Sequence, residues 1–135
     1  MEGRCRRAQE GRWTVFDGFS IVLFSSTPNK PRVDVTPASE IEPWVKSKPD
    51  NTLFIADEAY AEYVSDPKFK SMAGLIQDGL DNVVLLKTFS KLYAMAGMRV
   101  GFAVGAPSII KMMKDQVAGE KLNYPGVTAA LVSVR

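Results

Sequence analysis

Two residue types that build many active sites are missing or nearly missing from this sequence. Its 135 residues contain no histidine and a single cysteine, Cys5. Without these side chains the chain cannot form a Cys/His metal cluster, a Ser-His or Cys-His catalytic pair, or an intramolecular disulfide. The sequence therefore predicts no metal centre, and it favours a reducing compartment, the cytoplasm.

The sequence also lacks a long apolar run and a strong charge of either sign. Its N-terminal apolar stretch, residues 15–24, is broken by Asp17 and Gly18 and is too short to span a membrane. With 17 basic and 15 acidic residues the net charge is +2, so no strong field would recruit nucleic acid or an anionic membrane. Four arginines crowd the first dozen residues, and we interpret them as a solvated terminus rather than a nucleic-acid arm. We expect neither kind of partner.

What the sequence does contain is a series of short apolar runs typical of buried strands, in a chain long enough for one domain. The pattern predicts strands at residues 19–24, 52–56, 82–86 and 99–104, and helices at 37–47, 107–119 and 126–135. The last three strands are apolar almost throughout, which favours an α/β sheet covered on both faces. Pro43 should kink or shorten the first helix.

Polar and ionisable side chains follow two of these strands. Asp57 comes directly after one strand with Tyr60 three residues on, and Thr88 and Lys91 have the same spacing after the next. Arg99 follows, flanked by glycines two residues away on either side. Ligands of open α/β sheets bind outside the carboxyl ends of the strands. A guanidinium and a hydroxyl suit a phosphate, and an amine, a carboxylate and a phenol complete what a pyridoxal-phosphate site needs.

The order and spacing of these residues resemble a known family. Three motifs carry the likeness: Asp57-Glu58-Ala59-Tyr60, Thr88-Phe89-Ser90-Lys91 and Gly97-Met98-Arg99-Val100-Gly101. They resemble the fold-type-I pyridoxal-phosphate-dependent aminotransferases of class I and II, and the histidinol-phosphate branch in particular. The resemblance spans residues 19–135 and implies part of the family's large domain. That domain is a mostly parallel sheet flanked by helices, here without its N- and C-terminal segments.

The resemblance also implies roles for six residues. Lys91 would form a Schiff base with the cofactor aldehyde and, once displaced by a substrate amine, would move a proton as base and acid. Asp57 would keep the pyridine nitrogen protonated, and Tyr60 would donate a hydrogen bond to the phenolic oxygen. The phosphate would be held by Thr88, Ser90 and Arg99. The implied reaction transfers an amino group between an amino acid, histidinol-phosphate-like or aromatic, and a 2-oxo acid.

The chain departs from the family pattern at one position and in length. Where the family carries an asparagine that reaches the phenolic oxygen, this chain has Lys30, a cation that can still donate a hydrogen bond. The family's leading phosphate loop, and its trailing domain with the arginine that grips the substrate carboxylate, have no counterpart. We therefore expect a fragment of an enzyme, with residues 1–18 as a disordered tail and 19–135 as a partial cofactor-binding domain.

The sequence leaves two alternatives to transamination open. A related decarboxylase or lyase would use the same cofactor residues, because the discriminating contacts lie in the segments without counterpart. A truncated remnant without catalysis, binding the cofactor weakly, is the second. The family works as dimers, so the resemblance implies a homodimer, and an uncovered sheet edge would also favour a partner.

Overall fold

The computed structural model describes residues 21–26, 28, 35–47, 51–117 and 123–135. The tail predicted at residues 1–18 lies outside them. Within the described residues the elements are β1 (Ile21–Ser26), α1 (Ala38–Lys46), β2 (Thr52–Asp57), a 3₁₀ helix (Ala61–Tyr63), α2 (Ala73–Gln77), β3 (Val83–Thr88), a second 3₁₀ helix (Ala96–Met98), β4 (Gly101–Gly105), α3 (Pro107–Asp115) and α4 (Tyr124–Ser133).

The four strands form one sheet in the order β1-β2-β3-β4. The first three are parallel, with Ser26 opposite Asp57 and Asp57 opposite Leu86, and β4 runs antiparallel to β3, with Gly101 opposite Thr88. The predicted α/β class and mostly parallel sheet are therefore confirmed. Because β1, β2 and β3 are parallel, their carboxyl ends share one edge of the sheet, and the predicted site residues follow that edge.

The two central strands are covered on both faces, as their continuous apolarity predicts. On one face, α1 and α2 complete a core made of Ile41, Val45, Phe54, Ala56, Met72, Leu75, Val83 and Leu85. On the other face α3 contributes Ile109 to a smaller core with Leu53 and Val84. Successive residues of β2 and β3 thus alternate between two buried faces, so the backbone that leads to the site is held from both sides.

Helix α1 continues through Pro43 instead of being shortened by it. It spans Ala38–Lys46, close to the predicted 37–47. Pro43 is on the exposed side, and its carbonyl accepts a hydrogen bond from the Ser47 N–H at 3.0 Å. The proline therefore removes only the bond that its own nitrogen would donate, and the burial of Ile41 and Val45 against the sheet holds the helix together.

Strand β4 differs from the prediction in both bounds and burial. It begins at Gly101 rather than at Arg99, whose φ of 53° and ψ of 45° are left-handed and incompatible with a strand. The strand itself is present, but its predicted burial is wrong, since Phe102 is 48% exposed and Val104 37% exposed. The reason is topological: β4 lies at an edge of the described sheet, and an apolar run does not reveal where in the sheet order its strand falls.

The remaining bounds differ from the predictions by a few residues. β3 extends two residues beyond the predicted 82–86, because Lys87 and Thr88 pair with β4. α3 ends at Asp115 instead of near residue 119, α4 begins at Tyr124, and α2 was not predicted. Among the described helices, none combines the length and the apolarity that crossing a membrane requires.

Candidate active site

Asp57 is the last residue of β2, and Tyr60 lies in the turn that follows. Asp57 Oδ1 accepts a hydrogen bond from the Ala59 N–H at 3.0 Å, which fixes the carboxylate at the strand end. Tyr60 directly precedes the 3₁₀ helix Ala61–Tyr63, and Lys91 Nζ lies 5.1 Å from the centroid of its ring, within cation–π distance. The phenol and the amine predicted for the site are therefore neighbours.

Lys91 belongs to a tight loop between β3 and β4. The Lys91 carbonyl accepts from the Ala94 N–H at 2.9 Å, and the Phe89 carbonyl accepts from the Met95 N–H at 3.1 Å. The Phe89 N–H in turn donates to the Val100 carbonyl at 3.1 Å and closes the base of the loop. These bonds hold the loop backbone while the Lys91 side chain stays exposed.

The hydroxyl of Thr88 is held at the end of β3. Thr88 Oγ1 accepts from the Ser90 N–H at 3.1 Å and donates to the Val100 carbonyl at 3.4 Å. Thr88 and Ser90 are both half-buried. Two hydroxyls therefore lie within one turn, between the strand end and the loop that carries Lys91.

Arg99 is held in an unusual backbone conformation directly before Val100 and β4. Its φ of 53° is left-handed, a region that costs a residue with a side chain about 1–2 kcal/mol. Such strain is concentrated at functional sites. Arg99 Nη1 donates to the Ala96 carbonyl at 2.8 Å, which uses one of the five guanidinium N–H donors.

One open cleft of about 310 Å³ brings most of these side chains together. Its lining consists of Asp57, Ala59, Leu86, Lys87, Thr88, Ser90, Lys91, Ala96 and Arg99. Five of the six predicted site residues are in this lining, and the sixth, Tyr60, contacts Lys91. Lys30 lies outside the described residues. A volume of this size is at the lower end of what small-molecule sites occupy.

The donor set of the cleft fits pyridoxal phosphate. Two hydroxyls and a guanidinium suit the phosphate group, because hydrogen bonds between charged partners are short and strong. The Asp57 carboxylate suits a protonated ring nitrogen, and the Lys91 amine suits an aldehyde. The cleft thus offers a complementary group for each polar end of the cofactor.

Two charged residues have no role predicted from the sequence: Lys87, which lines the cleft, and Glu58, which lies beside it. Glu58 is only 1% exposed and accepts hydrogen bonds from Ser71 Oγ at 2.8 Å and from the Met72 N–H at 2.7 Å. Lys87 Nζ lies 3.4 Å from Glu58 Oε2 and 2.6 Å from Glu62 Oε1. The sequence does show two adjacent acids after a strand, but it does not indicate which of them turns inward.

Gly101 of β4 leaves no room for a side chain beside β3. A Cβ at this position would lie 2.8 Å from the Lys87 carbonyl oxygen, and a backbone atom cannot yield without shifting the strand ladder. We expect Gly101→Ala to lower the free energy of unfolding by about 1–3 kcal/mol, the usual cost of overpacking. Urea unfolding measures this. Gly97→Ala is the matched control, since a Cβ there meets nothing within 4 Å, and an equal loss in both variants would contradict the steric explanation.

A family model matches nearly the whole chain and identifies its sequence family. The family model for aminotransferase class I and II matches residues 14–133. This chain belongs to the class I and II aminotransferases. A histidinol-phosphate aminotransferase from Lysinibacillus sphaericus is 38% identical to it over 125 residues, which are 93% of this chain and 33% of that relative. The predicted family is confirmed.

Solved structures of aminotransferases share the fold. A candidate histidinol-phosphate aminotransferase from Erwinia carotovora atroseptica is 56% identical with a TM-score of 0.80, over 89% of this chain and 34% of that one. A histidinol-phosphate aminotransferase from Sinorhizobium meliloti in complex with pyridoxal 5'-phosphate is 26% identical with a TM-score of 0.76, over 84% of this chain and 30% of that one. This aminotransferase chain therefore has part of the fold-type-I architecture and spans about a third of the length of the proteins it matches.

Proposed function

We propose that this aminotransferase chain supplies the cofactor-binding part of a pyridoxal-phosphate-dependent transaminase site. One observation carries the proposal: a single cleft at the carboxyl edge of the sheet contains two amines, a carboxylate, two hydroxyls and a guanidinium. The family is pyridoxal-phosphate-dependent, and the cofactor complex of the Sinorhizobium relative supports the same cofactor here. When bound, the cofactor supplies an electron sink for the pair left by the Cα–H bond of the substrate.

Each residue of the cleft has a role in this proposal. Lys91 would bind the cofactor aldehyde and, when freed by the substrate amine, would hold the proton removed from the substrate Cα and return it. Asp57 would keep the ring nitrogen protonated, and Tyr60 would donate to the phenolic oxygen beside Lys91. The phosphate would be bound by Thr88, Ser90 and Arg99.

The proposed substrates are an amino acid and a 2-oxo acid. Similarity to the histidinol-phosphate aminotransferases favours an amino donor like histidinol phosphate, and similarity to aromatic amino acid aminotransferases makes an aromatic amino acid the alternative. A homodimer and a cytoplasmic location belong to the same proposal and rest on the family alone.

An absorbance experiment tests the function. The purified chain is mixed with pyridoxal phosphate, and we expect a visible band that marks a carbon–nitrogen bond to the protein. Addition of L-histidinol phosphate and then 2-oxoglutarate should remove and restore the band, with release of the oxo product. A well-folded chain that gives no band would contradict cofactor binding, and release of carbon dioxide would instead indicate a decarboxylase.

Replacement of Arg99 should separate phosphate binding from ring binding. We expect Arg99→Gln to weaken pyridoxal phosphate binding about 10- to 100-fold, the equivalent of the 1.5–3 kcal/mol typical of a hydrogen bond to a charged group. Binding of pyridoxal, which has no phosphate, should change little. Titrations with both ligands measure the difference, with Lys111→Gln on the exposed side of α3 as a control for loss of a cation. If the affinities for both ligands fell equally, Arg99 would not be a phosphate-binding residue.

A further inference from the structure

Two amines, not one, line the cofactor cleft. Lys87 and Lys91 are both part of its lining. An aldehyde that enters such a cleft could in principle react with either, since any unprotonated primary amine can add to a carbonyl carbon. The two lysines differ, however, in what surrounds their nitrogen atoms.

The ammonium of Lys87 is held between two carboxylates. Its Nζ lies 2.6 Å from Glu62 Oε1 and 3.4 Å from Glu58 Oε2. The Lys87 side chain is 17% exposed and the Glu58 side chain only 2%, so this ion pair is shielded from solvent on one side. Hydrogen bonds between charged partners of this kind are shorter and stronger than those between neutral groups.

Glu58 is itself fixed and cannot follow Lys87 if that side chain moves. Its two oxygens accept from Ser71 Oγ at 2.8 Å and from the Met72 N–H at 2.7 Å, on a segment more than ten residues further along the chain. Its own N–H donates to the Leu86 carbonyl at 3.0 Å. Departure of Lys87 would leave a buried carboxylate without its cation, which is strongly unfavourable.

Lys91 has different surroundings. Its side chain is exposed, and its Nζ lies over the ring of Tyr60. The salt bridges found among the described residues include Lys87 and Lys111 but not Lys91. The amine of Lys91 can therefore turn toward a ligand in the cleft without breaking an ion pair in that part of the chain.

We propose that Glu58 and Glu62 determine which lysine reacts, by holding the Lys87 ammonium and leaving Lys91 as the reactive amine of the cleft. In the reaction an unprotonated amine nitrogen would add its lone pair to the aldehyde carbon. The two N–H protons would pass to the aldehyde oxygen, which would leave as water as the carbon–nitrogen double bond forms. Only the nitrogen of Lys87 would first have to leave two carboxylates, Glu58 and Glu62. This inference rests on the proposed function, because the aldehyde is that of pyridoxal phosphate.

Borohydride trapping tests the proposal at the level of single residues. Borohydride delivers hydride to the carbon–nitrogen double bond and leaves a stable secondary amine, which peptide mass spectrometry assigns to one lysine. In the unchanged chain we expect the label on Lys91, and in Lys91→Ala we expect almost none on Lys87. In the Lys91→Ala background, Glu62→Gln should raise the label on Lys87 about two- to fivefold, the size typical of a partly exposed ion pair. Adding Glu58→Gln should raise it further.

Controls separate this inference from the proposed function. Asp115→Asn in the same background removes a carboxylate from the exposed Lys111–Asp115 pair and should leave the label on Lys87 unchanged. Label on Lys91 in the unchanged chain, with no rise on Lys87 after both glutamates are replaced, would overturn the inference while cofactor binding stands. Equal label on Lys87 and Lys91 in the unchanged chain would also overturn the inference and leave cofactor binding intact. If no residue were labelled, both the inference and the proposed function would be overturned. If circular dichroism shows that the double variant does not fold, Glu62→Gln alone decides.

Discussion

A Lys91→Ala chain should lose almost all of the visible band with pyridoxal phosphate, and borohydride should add mass to no more than a trace of the protein. The band requires a covalent bond to an amine of the cleft. Lys91 is the exposed lysine of that cleft, and its Nζ lies beside Tyr60. Non-covalent binding should persist but weaken, because Asp57, Thr88 and Arg99 still line the cleft. Absorbance spectra and the intact mass after reduction measure both effects.

Two controls accompany Lys91→Ala: its free energy of unfolding, and the visible band of a variant at a lysine outside the cleft. The side chain is exposed, so the free energy of unfolding should change by no more than about 0.5 kcal/mol, as is usual for surface substitutions. Lys111→Ala removes a lysine of α3 that is also exposed and should keep the full band. A band of normal height in Lys91→Ala, with the label on another residue, would show that Lys91 is not the anchor.

The parts of this site that depend on local sequence could be predicted from it. The apolar runs of β2 and β3 are continuous because both faces of these strands are buried, and this pattern can be read without knowing the fold. Asp57 and Thr88 then fall at strand ends, and a parallel arrangement brings those ends to one edge. The cleft that contains both residues follows from these two steps.

The parts that depend on distant contacts could not be predicted. Phe102 and Val104 belong to an apolar run like the others, yet they are exposed because β4 pairs with β3 alone among the described strands. The inward turn of Glu58 depends on donors at residues 71, 72 and 87, which no local pattern connects to it. The left-handed backbone of Arg99 depends on its position between a 3₁₀ helix and the start of β4.

Removal of the Glu58 carboxylate should have the largest effect on stability among the charged residues around the cleft. Glu58→Ala leaves the Met72 N–H and Ser71 Oγ without their acceptor and leaves Lys87 with Glu62 alone. Truncating one partner of a buried ion pair costs about 3–5 kcal/mol. Because Lys87 is partly exposed and keeps Glu62, we expect the lower end, about 3 kcal/mol.

Two further variants separate the hydrogen bonds of Glu58 from its charge. Glu58→Gln keeps an oxygen that can accept from the Met72 N–H but loses the negative charge opposite Lys87, so the expected cost is about 1–2 kcal/mol. Glu62→Ala removes the more exposed carboxylate and should cost less than about 1 kcal/mol, like other surface ion pairs. Urea unfolding with an unchanged m-value measures all three free energies. If Glu58→Ala were no less stable than Glu62→Ala, Glu58 would not hold the end of β2 to the 71–72 segment, and the Lys87 ammonium would depend on Glu62 alone.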